Sequence, residues 1–139
     1  MIKENDLASM HEELDTHAER LVTFLQSVDM NDVGAFLEVE TRSEKEAVMA
    51  ALVWSQRKTE EGVSRLVIML DNFSPEECKA VSGQMEEQGI REHVVLEASG
   101  GIVFPDLKSW HECGLDVIST SVINRGVQPL DVSMLVKGL

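Results

Sequence analysis

Apolar residues along this chain follow two periods, and the switches between them mark out its elements. Met10, Leu14, Ala18, Leu21, Leu25 and Val28 recur at steps of three and four, which predicts one amphipathic helix with its acidic residues on the wet face. Ala35-Phe36-Leu37-Glu38-Val39-Glu40 then reads as a strand. Ser43 with Glu46 has capping-box spacing and opens a helix through Ala47, Leu52 and Trp54. Leu66-Val67-Ile68-Met69-Leu70 is a continuous apolar run of strand length, as in a parallel sheet covered on both faces, and Asp71-Asn72 ends it. Ser74, Pro75 and Glu77 supply an N-cap, a proline at the first helical position and a second capping box, and Gly89 closes that helix. Val94-Val95-Leu96 is the next strand, a short helix runs from Pro105 to Cys113 and stops at Gly114, and Asp116-Val117-Ile118-Ser119 is a last strand.

Four strands separated by helices imply βαβ units, and hence a parallel sheet with right-handed crossovers. The class is α/β. With 139 residues, 43% of them hydrophobic, and no repeat, linker or low-complexity tract, the chain is expected to form one unit over residues 1–139.

In such folds a ligand sits where loops leave the carboxyl ends of the strands. The polar residues there are Lys3, Glu40, Asp71, Ser99 with Gly100 and Gly101, and Ser119 to Ser121. In Leu96-Glu97-Ala98-Ser99-Gly100-Gly101-Ile102 an apolar strand runs straight into Gly-Gly, whose bare backbone N–H groups can approach a phosphate. Gly-Gly after a strand is more often a plain tight turn, and strand ends are polar wherever they meet water. Several such ends on one rim favour a ligand. Glu40 and Asp71, on neighbouring rigid strands, suit a hydrated magnesium ion or the hydroxyls of a ribose.

A net charge of −13 without a Lys/Arg cluster argues against nucleic acid as a partner. The same acidity implies that anionic ligands reach the chain through a divalent metal, or that further basic residues lie outside it. No run has the length of a membrane span and Met1 to Asp6 lacks a signal-peptide profile, so no membrane partner is expected and the cytoplasm is the expected compartment. Cys78 and Cys113 read as reduced, partly buried thiols, and no Cys/His pair has zinc-finger spacing. His11 and His17 read as solvated surface, His93 and His111 as structural or surface positions, and Trp54 and Trp110 as packing between helices and sheet.

Five stretches in this order resemble the quinolinate phosphoribosyltransferases, also called carboxylating nicotinate-nucleotide pyrophosphorylases. They are Ile2-Lys3-Glu4-Asn5, Leu37-Glu38-Val39-Glu40, Met69 to Pro75, Leu96 to Ile102, and Gly114 to Ile118 leading to Leu130-Asp131-Val132-Ser133. The resemblance implies βα repeats of a parallel (β/α) barrel, here an incomplete one of roughly half. It also implies a magnesium-dependent transfer of phosphoribose from phosphoribosyl pyrophosphate to quinolinate, with loss of carbon dioxide, giving nicotinate mononucleotide for NAD biosynthesis. By the same resemblance Lys3 looks like the lysine near the quinolinate carboxylates. Glu40 and Asp71 look like the acidic pair serving ribose and magnesium, and Ser99, Gly100 and Gly101 look like part of the phosphate cradle, with Ser121 and Arg125 in the last loop.

Three residues depart from the family pattern. Asp6 and Arg125 stand where histidines are common, and Ser121 stands where a phosphate-contacting glycine is usual. Arg125 retains the ability to donate to phosphate. The family's amino-terminal sandwich domain and first barrel strands, with most of the quinolinate-binding arginines, precede the Ile-Lys-Glu-Asn motif. The chain is therefore expected to be the carboxyl-terminal part of the catalytic barrel domain, carrying the donor-binding half of the site and inactive by itself. A homodimer, a higher oligomer or a complementary chain is the expected partner, because a half barrel leaves apolar surface and sheet edges open. Two alternatives stay open: a non-catalytic remnant that docks on a partner chain, and a molybdenum-linked relative of the same family.

Overall fold

The computed structural model describes residues 1–10, 14–33, 35–57 and 64–124. Four parallel strands, β1 (Glu38–Thr41), β2 (Leu66–Asp71), β3 (Val94–Ser99) and β4 (Val117–Ile118), form one sheet in the order β1-β2-β3-β4. Sequence order is thus spatial order, as in an arc of a parallel barrel. Ile2 extends the arc by one residue: its N–H donates to Glu38 O at 2.8 Å and its carbonyl accepts from Glu40 N–H at 3.1 Å, a parallel bridge to Val39. Lys3 consequently follows a strand-like residue next to Glu40.

Helices α1 (Glu4–Met10), α2 (His17–Ser27), α3 (Glu44–Ser55) and α4 (Pro75–Glu87) complete the unit, with a 3₁₀ turn at Phe104–Trp110 in place of the expected helix to Cys113. The expected single amphipathic helix from Met10 to Val28 is two. Thr16 breaks it: its hydroxyl accepts from Glu19 N–H, its own N–H donates to the Glu19 carboxylate, and this closed box starts a new helix. Met10, at the end of α1, is 53% exposed and does not share a buried stripe with Leu21 and Leu25. The strand expected from Ala35 begins only at Glu38, where pairing with β2 starts.

At α3, Ser43 does cap the helix by accepting from Glu46 N–H at 3.3 Å. Glu46 does not close the box on Ser43, since its carboxylate accepts from Arg42 N–H at 2.9 Å. The box at α4 is complete, with Ser74 N–H donating to the Glu77 carboxylate at 2.7 Å and Pro75 at the first helical position. Gly89 follows the last turn at φ 66°, the left-handed conformation expected of a helix-ending glycine.

One face of the sheet carries the core and the other is covered only in part, at Glu40 and Met69. Val39, Leu66, Ile68, Leu70, Val94 and Leu96 are fully buried with Ala47, Ala50 and Ala51 of α3, whose small side chains let the helix lie close on the strands. Trp54 packs into the same core and its indole N–H donates to Ser64 O at 2.8 Å, a packing role as expected. Strand alternation then turns Glu38, Glu40, Asp71, Glu97, Ser99 and Val117 to the opposite face. In a closed barrel that face would be the interior.

His17 is not solvated surface. Its side chain is 13% exposed and its Nδ1 lies 3.3 Å from Glu46 Oε1 across the α2/α3 contact. His93 is largely covered and His111 is exposed, and His11 lies outside the described residues. Both cysteines are free and buried, and burial pushes the Cys78 thiol up to about 12. No helix among the described residues is long and apolar enough to cross a membrane.

Candidate functional site: a polar rim at the carboxyl ends of the strands

The rim is built by register. Asp71 is the last residue of β2 and pairs with Ser99, the last residue of β3. Immediately beyond, Asn72 adopts φ 60° and its N–H donates to Ser99 O at 2.8 Å, so the two strand ends leave the sheet locked together. Gly100 follows at φ 105° and Gly101 at φ 62°, so both peptides turn left-handed. At Gly100 a side chain is also excluded by contact, because a Cβ there would stand 2.7 Å from Asn72 Cγ and 3.0 Å from Asn72 Cα. The N–H groups of Gly100 and Gly101 donate to no described protein group.

The loop after β4 forms the opposite wall. Ser119 N–H donates to Ala98 O at 2.9 Å, continuing the ladder, and Thr120 Oγ1 donates to Ile102 O at 2.6 Å, tying this loop to the Gly-Gly loop. Between the two loops lies an open cavity of about 380 Å³ lined by Ser99, Gly100, Gly101, Ser119, Thr120, Ser121 and Asn124. Four of the expected phosphate and ribose residues, Ser99, Gly100, Gly101 and Ser121, therefore share one cavity. Arg125 lies outside the described residues.

Lys3, Glu40 and Asp71 are not among the cavity-lining residues. Asp71 stands next to the cavity through its pairing with Ser99, while Glu40 and Lys3 lie further along the same rim, beyond β2. Glu40 is buried, and its Oε1 accepts from Arg42 Nη2 at 3.3 Å. Asp71 is half-buried and bonds no described side chain. Desolvation, and then the charge of Glu97, hold the Glu38 carboxyl above its ordinary range, with the N-terminal amine and Lys3 acting in the opposite sense. Among the described residues no three His, Cys, Asp or Glu side chains come together as a metal-holding group.

Sequence reasoning missed Arg42, Glu97, Asn72 and Asn124. For Glu97 a signal was present, since strict alternation in Val94–Ser99 puts it on the face of Ser99. Asp6, the first departure from the family pattern, has a local structural role. It is the third residue of α1, and its carboxylate accepts from Lys3 N–H at 2.9 Å, as a capping residue does.

Fold and rim together define a parallel α/β arc that carries a backbone-lined polar cavity, flanked by carboxylates, at the carboxyl ends of its strands. Residues 1–135 match the profile of the quinolinate phosphoribosyl transferase C-terminal domain, and the chain belongs to that family. It is 31% identical over 136 residues to the carboxylating nicotinate-nucleotide pyrophosphorylase of Dictyostelium discoideum, a match covering 95% of this chain and 41% of the relative. A protein of Methanothermobacter thermautotrophicus named probable carboxylating nicotinate-nucleotide pyrophosphorylase is 35% identical over 103 residues, 74% of this chain and 33% of its own length. The nicotinate-nucleotide pyrophosphorylase structure from Francisella tularensis superposes with a TM-score of 0.52 at 26% identity, covering 84% of this chain and 33% of that one. The chain thus spans between about three tenths and two fifths of the length of the curated relatives it matches.

Proposed function

We infer that this chain carries the donor-binding half of a quinolinate phosphoribosyltransferase, in which phosphoribosyl pyrophosphate binds at the rim and quinolinate is the acceptor. The observation that carries this reading is the lock between Asp71 and the Ser99-Gly100-Gly101 turn, which sets a carboxylate beside a cradle of free backbone N–H groups. A phosphate in the cavity would take hydrogen bonds from Gly100 and Gly101 N–H and from the Ser99 and Ser121 hydroxyls, as backbone nests do for anions. The Asp71 carboxylate would then face the sugar that the phosphate anchors. Transfer of a ribosyl group builds positive charge at the sugar carbon, and fixed carboxylates at Asp71 and Glu40 stabilise that charge without reorganising.

Asp71 and Glu40 fit a magnesium ion only as a partial ligand set. Such an ion keeps several waters and takes other ligands from substrate phosphates, so it would not need a third carboxylate, and none joins a cluster of three among the described residues. Asp71 is the better placed of the two, because Arg42 already occupies Glu40 Oε1. When bound, the ion would neutralise charge on the departing pyrophosphate. Lys3, one residue beyond the Ile2 bridge to β1, would supply an ammonium to the acceptor carboxylates.

The open face and the exposed Val117, Phe104 and Ile123 favour a covering chain, either a second copy or a complementary polypeptide. The test is turnover of quinolinate when this chain is mixed with the amino-terminal part of a family enzyme. Asp71→Ala is expected to abolish that turnover. Unchanged turnover in the variant would refute the role given to Asp71, and a folded mixture without turnover would favour a non-catalytic docking remnant.

A further inference from the structure

The hydroxyls around the cavity differ in where their protons go. Ser119 Oγ bonds Glu97 Oε1, and since a carboxylate only accepts, the serine must donate. Thr120 is spent twice within the protein, donating to Ile102 O at 2.6 Å and accepting from Val122 N–H at 3.2 Å. The hydroxyls of Ser99 and Ser121 and the amide of Asn124 bond no described residue, so their donors remain available. The cavity is therefore divided into a donor wall, made of Ser99, the Gly-Gly peptides, Ser121 and Asn124, and a Ser119 wall that presents only lone pairs. Glu97 stands behind Ser119 on the open face of β3, where its carboxylate fixes that polarity.

We propose that Glu97 is a positioning residue which, by holding the Ser119 hydroxyl proton, makes Ser119 an acceptor for a sugar hydroxyl of the phosphorylated ligand, so that the cavity selects a sugar phosphate over a bare phosphate. This rests on the donor-binding reading above. Phosphate binding falls to the donor wall and sugar recognition to the Ser119 wall, so the two should be separable by mutation. Ser119 and Glu97 are both half-buried on the open face, where shortening either side chain opens no core cavity.

The experiment is calorimetric titration of the full chain with ribose 5-phosphate and, separately, with inorganic phosphate. Ser119→Ala and Glu97→Ala should each lower the preference for ribose 5-phosphate over phosphate about tenfold, the loss of one hydrogen bond to the sugar. Inorganic phosphate binding should change less than about twofold, and Ser119→Thr, which keeps the hydroxyl, should retain the preference. Equal weakening of both ligands, as a purely structural role predicts, would overturn the proposal and leave the donor-binding reading standing. So would an unchanged preference in both alanine variants. If the parent chain binds inorganic phosphate but shows no preference for ribose 5-phosphate, this proposal falls alone; if it binds neither, both readings fall.

Discussion

Asp71 and Ser99 end neighbouring strands in direct register, and the Asn72 peptide closes onto Ser99 O at 2.8 Å. This pairing joins a carboxylate from one motif to the glycine turn of another, which no local stretch of sequence does. Its rigidity depends on residues just beyond the pair, and these give the first prediction.

Gly100 and Gly101 both turn left-handed, yet they should respond differently to a methyl group. At Gly100, strain adds to a collision with Asn72, and Gly100→Ala should cost about 3 kcal/mol. At Gly101 nothing lies within 4 Å of a built Cβ, and Gly101→Ala should cost about 1 kcal/mol from backbone conformation alone. Urea denaturation of the two variants measures the difference; equal costs would contradict the packing described at Asn72.

Arg91 and Asp116 fasten β4 to the sheet. Arg91 Nη2 lies 2.7 Å from Asp116 Oδ2, which also accepts from Leu96 N–H at 2.9 Å, and the same guanidinium donates to Gly114 O at 2.7 Å. Removing one partner leaves the others facing a partly covered site. Asp116→Ala should therefore destabilise the chain by about 2 kcal/mol and loosen the loop that carries Ser119 to Asn124. Denaturant midpoints, with amide exchange at Leu96, would show it; a change below about 0.5 kcal/mol would place β4 outside the cooperative unit.

Glu38 predicts a pH-dependent substitution. Burial and the Glu97 charge raise its folded value above the unfolded one, so its protonated form favours the fold. The stability it contributes is present below the unfolded value, near pH 4, and is lost as pH climbs through the folded value. Glu38→Gln should raise the melting temperature near pH 7 and leave it almost unchanged near pH 4. An equal shift at both pH values would mean that Glu38 acts through packing and not through charge.

The opposite sign holds at Glu77. Hydrogen bonds from the Ser74 backbone and hydroxyl lower its carboxyl, so its contribution is present above the unfolded value and is lost as pH falls through the folded one. Glu77→Ala, which removes both hydrogen bonds, should reduce stability near pH 7 and flatten acid unfolding, checked by thermal melts across that range. A cap variant with parent-like acid unfolding would contradict the closed box.

Elements whose signals are local and agree with one another were legible in advance. Leu66–Leu70 is a buried strand and Ser74-Pro75-x-Glu77 starts a helix, because cap, proline and apolar run all give the same answer. The boundary at Thr16 was equally local, but the continuous apolar spacing across it masked the Thr16/Glu19 box. Strand-end counting found the cavity residues Ser99, Gly100, Gly101 and Ser121, since parallel topology alone gathers such ends on one rim. Arg91 with Asp116 and Ser119 with Glu97 were not legible. Each pair joins residues more than twenty positions apart, and only the register of β3 with β4 decides that they meet.

Calorimetric titration of the chain with phosphoribosyl pyrophosphate, with and without magnesium and alongside Asp71→Ala, is the direct test of donor binding at the rim. The expected result is saturable binding that strengthens with magnesium and is lost in Asp71→Ala, whose circular dichroism should match the parent. A folded parent chain that binds no phosphoribosyl pyrophosphate, or an Asp71→Ala variant that binds it as the parent does, would contradict it.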